Sequence, residues 1–146
     1  MIELVRDIMI KDLITISEND TALKAAHLMT EKGVSSLIVL ADDQPIGIVT
    51  ERDFIKKICL KELKLSCVRV GEMMSRIRTS ASPDTPIDVA VQRMVNNRIR
   101  RLPIFENGKV VGIITVTDLA KHLRTILLLN STLSSGQLSH KKIENY

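Results

Sequence analysis

Two short stretches of this chain set a threonine three residues ahead of an aspartate, each directly after a glycine-bearing apolar run. They are Gly47-Ile48-Val49-Thr50-Glu51-Arg52-Asp53 and Gly112-Ile113-Ile114-Thr115-Val116-Thr117-Asp118. If the threonine opens a helix, the free N–H groups and partial positive charge there favour an anionic group such as phosphate. An aspartate in that first turn can accept two hydroxyl hydrogen bonds at once, which suits the vicinal diol of a ribose. Phosphate at the helix end and diol at the carboxylate together describe a nucleotide. The glycine removes a side chain where the strand exits, so that something can approach the backbone closely. The same Thr-x-x-Asp spacing is also a variant of the capping box, in which threonine and acid satisfy backbone donors and nothing binds. Capping and binding are compatible, and the recurrence favours a site.

The elements that would position these residues recur with them. At an offset of 65 without a gap, Val5 pairs with Val70, Met9 with Met74, Ala25 with Ala90, Met29 with Met94 and Leu37 with Leu102. A repeat of this length means one structural unit used twice. The expected organisation is one repeat over 2–64, a second over 65–129 and a polar, frayed or disordered tail over 130–146. Units of this size are marginal alone, so the two are expected to share a core. Each reads as strand, helix, strand, strand, helix, an α/β (α+β) pattern.

In the first repeat, Leu13-Ile14-Thr15-Ile16 reads as a short strand and Asn19 or Asp20 as the cap of a helix to about Lys32, closed by Gly33. Ser36 to Leu40 and Ile46 to Val49 form an antiparallel pair, and a second helix follows Thr50. In the second, Thr85, Pro86 and Asp88 give an N-cap, a proline at the first helical position and an acid at the third. Asn107-Gly108 between apolar runs is a hairpin signal. Thr15 and Asp20 match Thr79 and Asp84 better at an offset of 64, which leaves the register of the entry strand open by one residue. Lys61 to Arg69 links the halves. The last helix runs from Asp118 to about Leu129, with Leu119, Leu123, Ile126 and Leu127 at helical spacing.

The chain resembles a tandem cystathionine-β-synthase (CBS) domain pair, or Bateman module. The two heptads carry the resemblance, supported by Gly33 to Val39 with Arg98 to Ile104, and by the openings Val5 to Met9 and Val70 to Met74. It covers roughly residues 2–129. It implies a β-α-β-β-α fold per repeat, a pseudo-twofold axis and two clefts between the halves. Such clefts commonly take AMP, ADP, ATP or S-adenosylmethionine, and sometimes NAD-type or metal ligands. Carried over by position, Asp53 and Asp118 would hold ribose hydroxyls, and Thr50 and Thr115, with Thr117 beside them, would contact ribose or phosphate. Thr15 and Thr79 would line the base pocket with Val34, Ser36, Ile99 and Arg101. The resemblance also implies a homodimer, a flat disc of four repeats joined through their helices.

Arg98, Arg100 and Arg101 stand where the first repeat has Gly33, Ser35 and Ser36. Arginines there suit phosphate, although alternate strand residues face opposite ways. The net charge of +4 is modest. Aromatic residues make up only 2% of the chain, which argues against a single-strand nucleic-acid binder built on stacking platforms. His27, His122 and His140 share no metal-binding spacing. No catalytic signature joins serine, histidine and aspartate, so the chain reads as no enzyme. Cys59 and Cys67 read as free thiols of a reducing cytoplasm. The start lacks a charged-then-apolar leader, and no apolar run reaches the ~18 residues of a membrane span. The leading reading is a stand-alone regulatory module sensing adenine nucleotides. The alternatives are a basic nucleic-acid-binding protein and an oligomerisation module with unused clefts.

Overall fold

A computed structural model of the chain describes residues 3–143, with side chains as far as Ser135. β1 (Thr15–Ser17) leads into α1 (Ala22–Lys32), β2 (Ser36–Ala41), β3 (Gln44–Thr50) and α2 (Glu51–Phe54), which passes into a π-helical turn over Ile55–Cys59. Then come α3 (Val70–Met73), β4 (Ser75–Arg76), α4 (Ile87–Asn97), β5 (Arg101–Glu106), β6 (Lys109–Thr115) and α5 (Val116–Ile143). The mixed α+β repeat is the one expected.

Local chemistry explains the boundaries. α1 is capped by Thr21, whose hydroxyl accepts the Lys24 N–H at 3.2 Å. Neither Asn19 nor Asp20 is the cap, because the Asp20 carboxylate is engaged one turn earlier by the Ser17 N–H. The second repeat shows the same shift. Thr85 accepts the Ser82 N–H at 2.9 Å, and α4 starts after Pro86 rather than after Thr85. Gly33 closes α1 in the left-handed conformation, φ 63°. Asn107 and Gly108 both have positive φ between β5 and β6, and Asp42 and Asp43 do the same between β2 and β3. Ile16 pairs with Val39 and Ala81 with Ile104, so the entry strands match at an offset of 65. Thr15 therefore corresponds to Ser80, and Thr79 to Ile14.

The first sheet runs β1-β2-β3-β4, and its fourth strand belongs in sequence to the second repeat. β4 pairs with β3 through Gly47–Arg76 and Ile48–Ser75, while Ile10 pairs with Ile113 on β6. Each repeat thus lends its opening segment to the other. The packing follows. Val70 and Met73 are buried with Ile16, Ala25, Leu37, Val39 and Val49 of the first repeat. Val5 is buried with Ala90, Met94, Leu102, Ile104 and Ile114 of the second. The expected shared core is therefore two cores, interlocked by exchanged segments. Ile38 and Ile113 are buried outside both clusters. They lie on the faces of their strands opposite the clusters.

α5 does not stop near Leu129 but continues to Ile143. Hydroxyls at Thr132, Ser134 and Ser135 bond back to carbonyls one turn earlier, so these side chains are satisfied within the helix. The expected irregular tail is thus helical over 130–143, and 144–146 lie outside the described residues. Among the described residues, no helix is long and apolar enough to cross a membrane.

Candidate functional site

β3 and β6 belong to different sheets but touch each other, and each ends at the threonine that opens the following helix. In front of the ends of both strands lies an open cleft of about 1110 Å³. The first repeat contributes Ile48, Thr50, Glu51, Arg52 and Lys57. Met74 to Thr79 run along one side, and the second repeat closes the other with Asn97 to Arg101, Pro103, Thr115, Val116 and Thr117. Eight of the residues singled out from sequence meet here: Thr50, Thr79, Arg98, Ile99, Arg100, Arg101, Thr115 and Thr117.

Asp118 sits one turn behind the wall of this cleft. One of its oxygens accepts the Thr115 N–H at 2.9 Å and the Thr115 hydroxyl at 2.7 Å, and Thr115 in turn accepts the Asp118 N–H at 3.2 Å. The capping box is formed, and among the described residues the second carboxylate oxygen has no partner. The half-buried aspartate keeps acceptor capacity for a hydroxyl.

Asp53 differs. It is only 7% exposed. It accepts the Thr50 N–H at 2.9 Å, lies 3.3 Å from the Thr50 hydroxyl and 3.4 Å from that of Ser75, and pairs with Lys57 at 3.1 Å. Lys57 also donates to the carbonyls of Met73 and Met74, at 2.7 and 3.2 Å. This carboxylate is saturated by the protein itself and fastens α2 to the exchanged segment. The position equivalent to Lys57 is His122, which faces Glu3 at 2.6 Å and leaves Asp118 alone.

Three further sequence candidates lie away from the cleft. Thr15 lines a separate groove of about 350 Å³ with Asp20, Lys24, Asp42 and Asp43. Val34 packs against the first core, and Ser36 starts β2 opposite Thr50. The glycines of the heptads do permit a close approach to the backbone, as expected. A Cβ on Gly47 would stand 2.5 Å from the Met74 sulfur and 2.8 Å from the Ser75 carbonyl oxygen, and one on Gly112 would meet the Met9 sulfur at 2.7 Å. What approaches the backbone is the exchanged segment of the other repeat.

Arg52, Lys57, Arg76 and Arg78 were absent from the sequence candidates. The signal that finds two of them is the spacing Arg76-x-Arg78-Thr79: residues two apart in an extended strand share a face. Among the described residues no cleft arginine has a carboxylate within ion-pair distance; the four ion pairs are Arg6–Asp84, Lys24–Asp20, Lys57–Asp53 and His122–Glu3. Arg101 reaches across the halves to the Ser35 hydroxyl at 3.1 Å, and its Nε is buried without a partner. Among the described residues, no group of three or more His, Cys, Asp or Glu is arranged to hold a metal. Both cysteines are free and exposed.

The family model of the CBS domain matches residues 5–59 and 70–125. CBS domain-containing protein YhcV of Bacillus subtilis is 31% identical over 139 residues, covering 95% of this chain and 97% of that protein. A protein of Methanopyrus kandleri is 38% identical over 111 residues, covering 75% of this chain; the match spans only 57% of that relative's length. A solved CBS domain pair in complex with 5′-methylthioadenosine and S-adenosyl-L-methionine superposes with a TM-score of 0.76 at 26% identity, covering 86% of this chain and 98% of the other. The chain belongs to the CBS domain family, and its two repeats form a CBS domain pair, a regulatory module.

Proposed function

We propose that this CBS domain pair binds an adenosine ligand, AMP, ADP, ATP or S-adenosylmethionine, in the cleft between its repeats. Binding would shift the relative pose of the halves, which a partner reads. The observation that carries this reading is the convergence of Thr79, Ile99, Thr115 and Thr117 on one cleft, with the Asp118 carboxylate half free behind it. The cleft volume of about 1110 Å³ is ample for a nucleotide. The solved pair holding two adenosine compounds supports the same ligand class. The two exposed free thiols fit a reducing cytoplasm.

Two copies would pair through exposed apolar residues at the end of each repeat: Ile55 in the helical turn, Leu60 at its C-cap and Leu63 just beyond it in the first, Leu123 and Leu127 on α5 in the second. Leu119 is excluded from that role because it packs on the second core.

A thermal-shift panel of AMP, ADP, ATP, S-adenosylmethionine and NAD, with and without Mg²⁺, tests the ligand reading. At a hundredfold excess over Kd, linkage adds about 2.7 kcal/mol, a rise in Tm on the order of 5–10 °C for a chain of this length. No shift at millimolar concentration with any member sinks it. The unpaired arginines also favour a second reading, nucleic-acid binding. An oligonucleotide that binds more tightly than any panel member, with affinity falling steeply as salt rises, would support that instead.

A further inference from the structure

Six arginines, Arg52, Arg76, Arg78, Arg98, Arg100 and Arg101, line the cleft against a single acidic residue, Glu51. Among the described residues none of the six is paired with a carboxylate. They come in two banks along the chain. Arg76 and Arg78 run along the exchanged segment with Arg52 at the start of α2, and the other three stand at the entrance to β5, from which Arg101 reaches over to Ser35 of the first repeat. Like charges gathered in one concavity repel one another and raise the local concentration of anions.

Arg98 adds an independent argument. It closes α4 in the left-handed conformation, φ 52°. Its counterpart closing α1 is Gly33, φ 63°, the residue type that adopts this geometry without a Cβ penalty. A Cβ on Gly33 would meet nothing within 4 Å, so packing does not dictate the choice at the first position. At the second, an arginine is kept in a conformation that favours glycine, at a residue that lines the cleft. Backbone strain of this kind clusters at ligand clamps and switch regions.

We propose that the cleft selects a nucleotide carrying two or three phosphates over the nucleoside, the monophosphate and the cationic sulfonium of S-adenosylmethionine, and that Arg98 is a specificity-determining residue for those phosphates. This rests on the adenosine reading of the same cleft. A diphosphate or triphosphate has the length and charge to engage both banks, and guanidinium groups hold phosphate oxygens through paired, charge-assisted hydrogen bonds.

Calorimetry on the full chain, in low salt and without Mg²⁺, with adenosine, AMP, ADP, ATP, S-adenosylmethionine and inorganic tripolyphosphate provides the test. ADP and ATP should bind at least tenfold more tightly than AMP, and AMP more tightly than adenosine. Arg98→Gly should then do two opposite things. It should raise the Tm of the free protein by about 2–4 °C, because the strain is relieved. It should also weaken ATP roughly ten- to hundredfold, the usual cost of one charged hydrogen bond, and weaken adenosine far less. Arg98→Lys should recover part of the ATP affinity. A purely structural arginine would move the Tm and leave the order of phosphates intact. Adenosine or S-adenosylmethionine binding as tightly as ATP overturns the proposal while leaving the adenosine reading in place, as does an Arg98→Gly variant with unchanged ATP affinity. Tripolyphosphate binding that weakens in Arg98→Gly, with no gain from the nucleoside, upholds the polyphosphate cleft and overturns the adenosine reading. No binding by any of the six overturns both.

Discussion

The two heptads are nearly the same in sequence, yet their aspartates have different neighbours. Asp53 is closed in by Lys57 and Ser75, so its charge is spent on holding α2 against the segment lent by the second repeat. Asp118 answers only to Thr115. The two alanine substitutions should therefore fail differently. Asp118→Ala removes an acceptor behind the cleft and, on the proposed reading, should weaken an adenosine ligand by roughly ten- to hundredfold. Asp53→Ala leaves Lys57 half-buried beside two carbonyls without its carboxylate and should destabilise the fold. A fully buried pair broken in this way costs about 3–5 kcal/mol; with Lys57 35% exposed the loss is reduced to roughly 1–3 kcal/mol. Calorimetry and denaturant melts on both variants check this. Equal ligand affinity in Asp118→Ala and the parent would mean that both heptads are only helix caps.

At the scale of elements, the hairpins, the Gly33 cap and the two repeated helices are legible in the sequence because each rests on short-range signals: positive-φ residues, period-2 strands and a helical stripe. The errors have physical causes too. The entry strand at 80–81 offers serine and alanine where the first repeat has threonine and isoleucine, so its parity is set by pairing with β5 rather than by its own pattern. α5 outlasts its apolar periodicity, and its serine and threonine hydroxyls turn to carbonyls of the preceding turn rather than to a competing non-helical turn. Its leucines also divide by role. Leu119 and Ile126 are at least half-buried, whereas Leu123 and Leu127 are 56% and 59% exposed. Two exposed leucines one turn apart, together with Ile55 and Leu60 on the first repeat, favour a second copy as their cover. A Leu123→Glu, Leu127→Glu double variant should stay folded, since neither side chain enters a core, and should lose the dimer. Light scattering at tens of micromolar distinguishes the states; a parent of monomeric mass counts against the dimer.

For the whole molecule, the decisive feature is the exchange of opening segments, which no single-sequence reading shows. Val5 and Val70 head equivalent segments, so either could enter either core with the same local pattern; only the three-dimensional fold assigns Val70 to the first core and Val5 to the second. The boundary that the repeat suggests near residue 64 therefore cuts through a unit. Residues 1–64 lack Val70 and Met73, both buried in the first core, and lack the strand that covers the edge of β3. Losing two large buried side chains and an edge strand removes several kcal/mol, about the whole stability of a small domain. Residues 1–64 alone should show no cooperative thermal transition by circular dichroism. Extending the fragment to 1–78 restores α3 and β4 and should return a sigmoidal melt, below that of the full chain because Val5 and Met9 still lack their own core. A fragment 1–64 that melts as cooperatively as 1–78 would show that the exchanged segment contributes little. The halves would then be independent units, and a ligand in the cleft would have less to move.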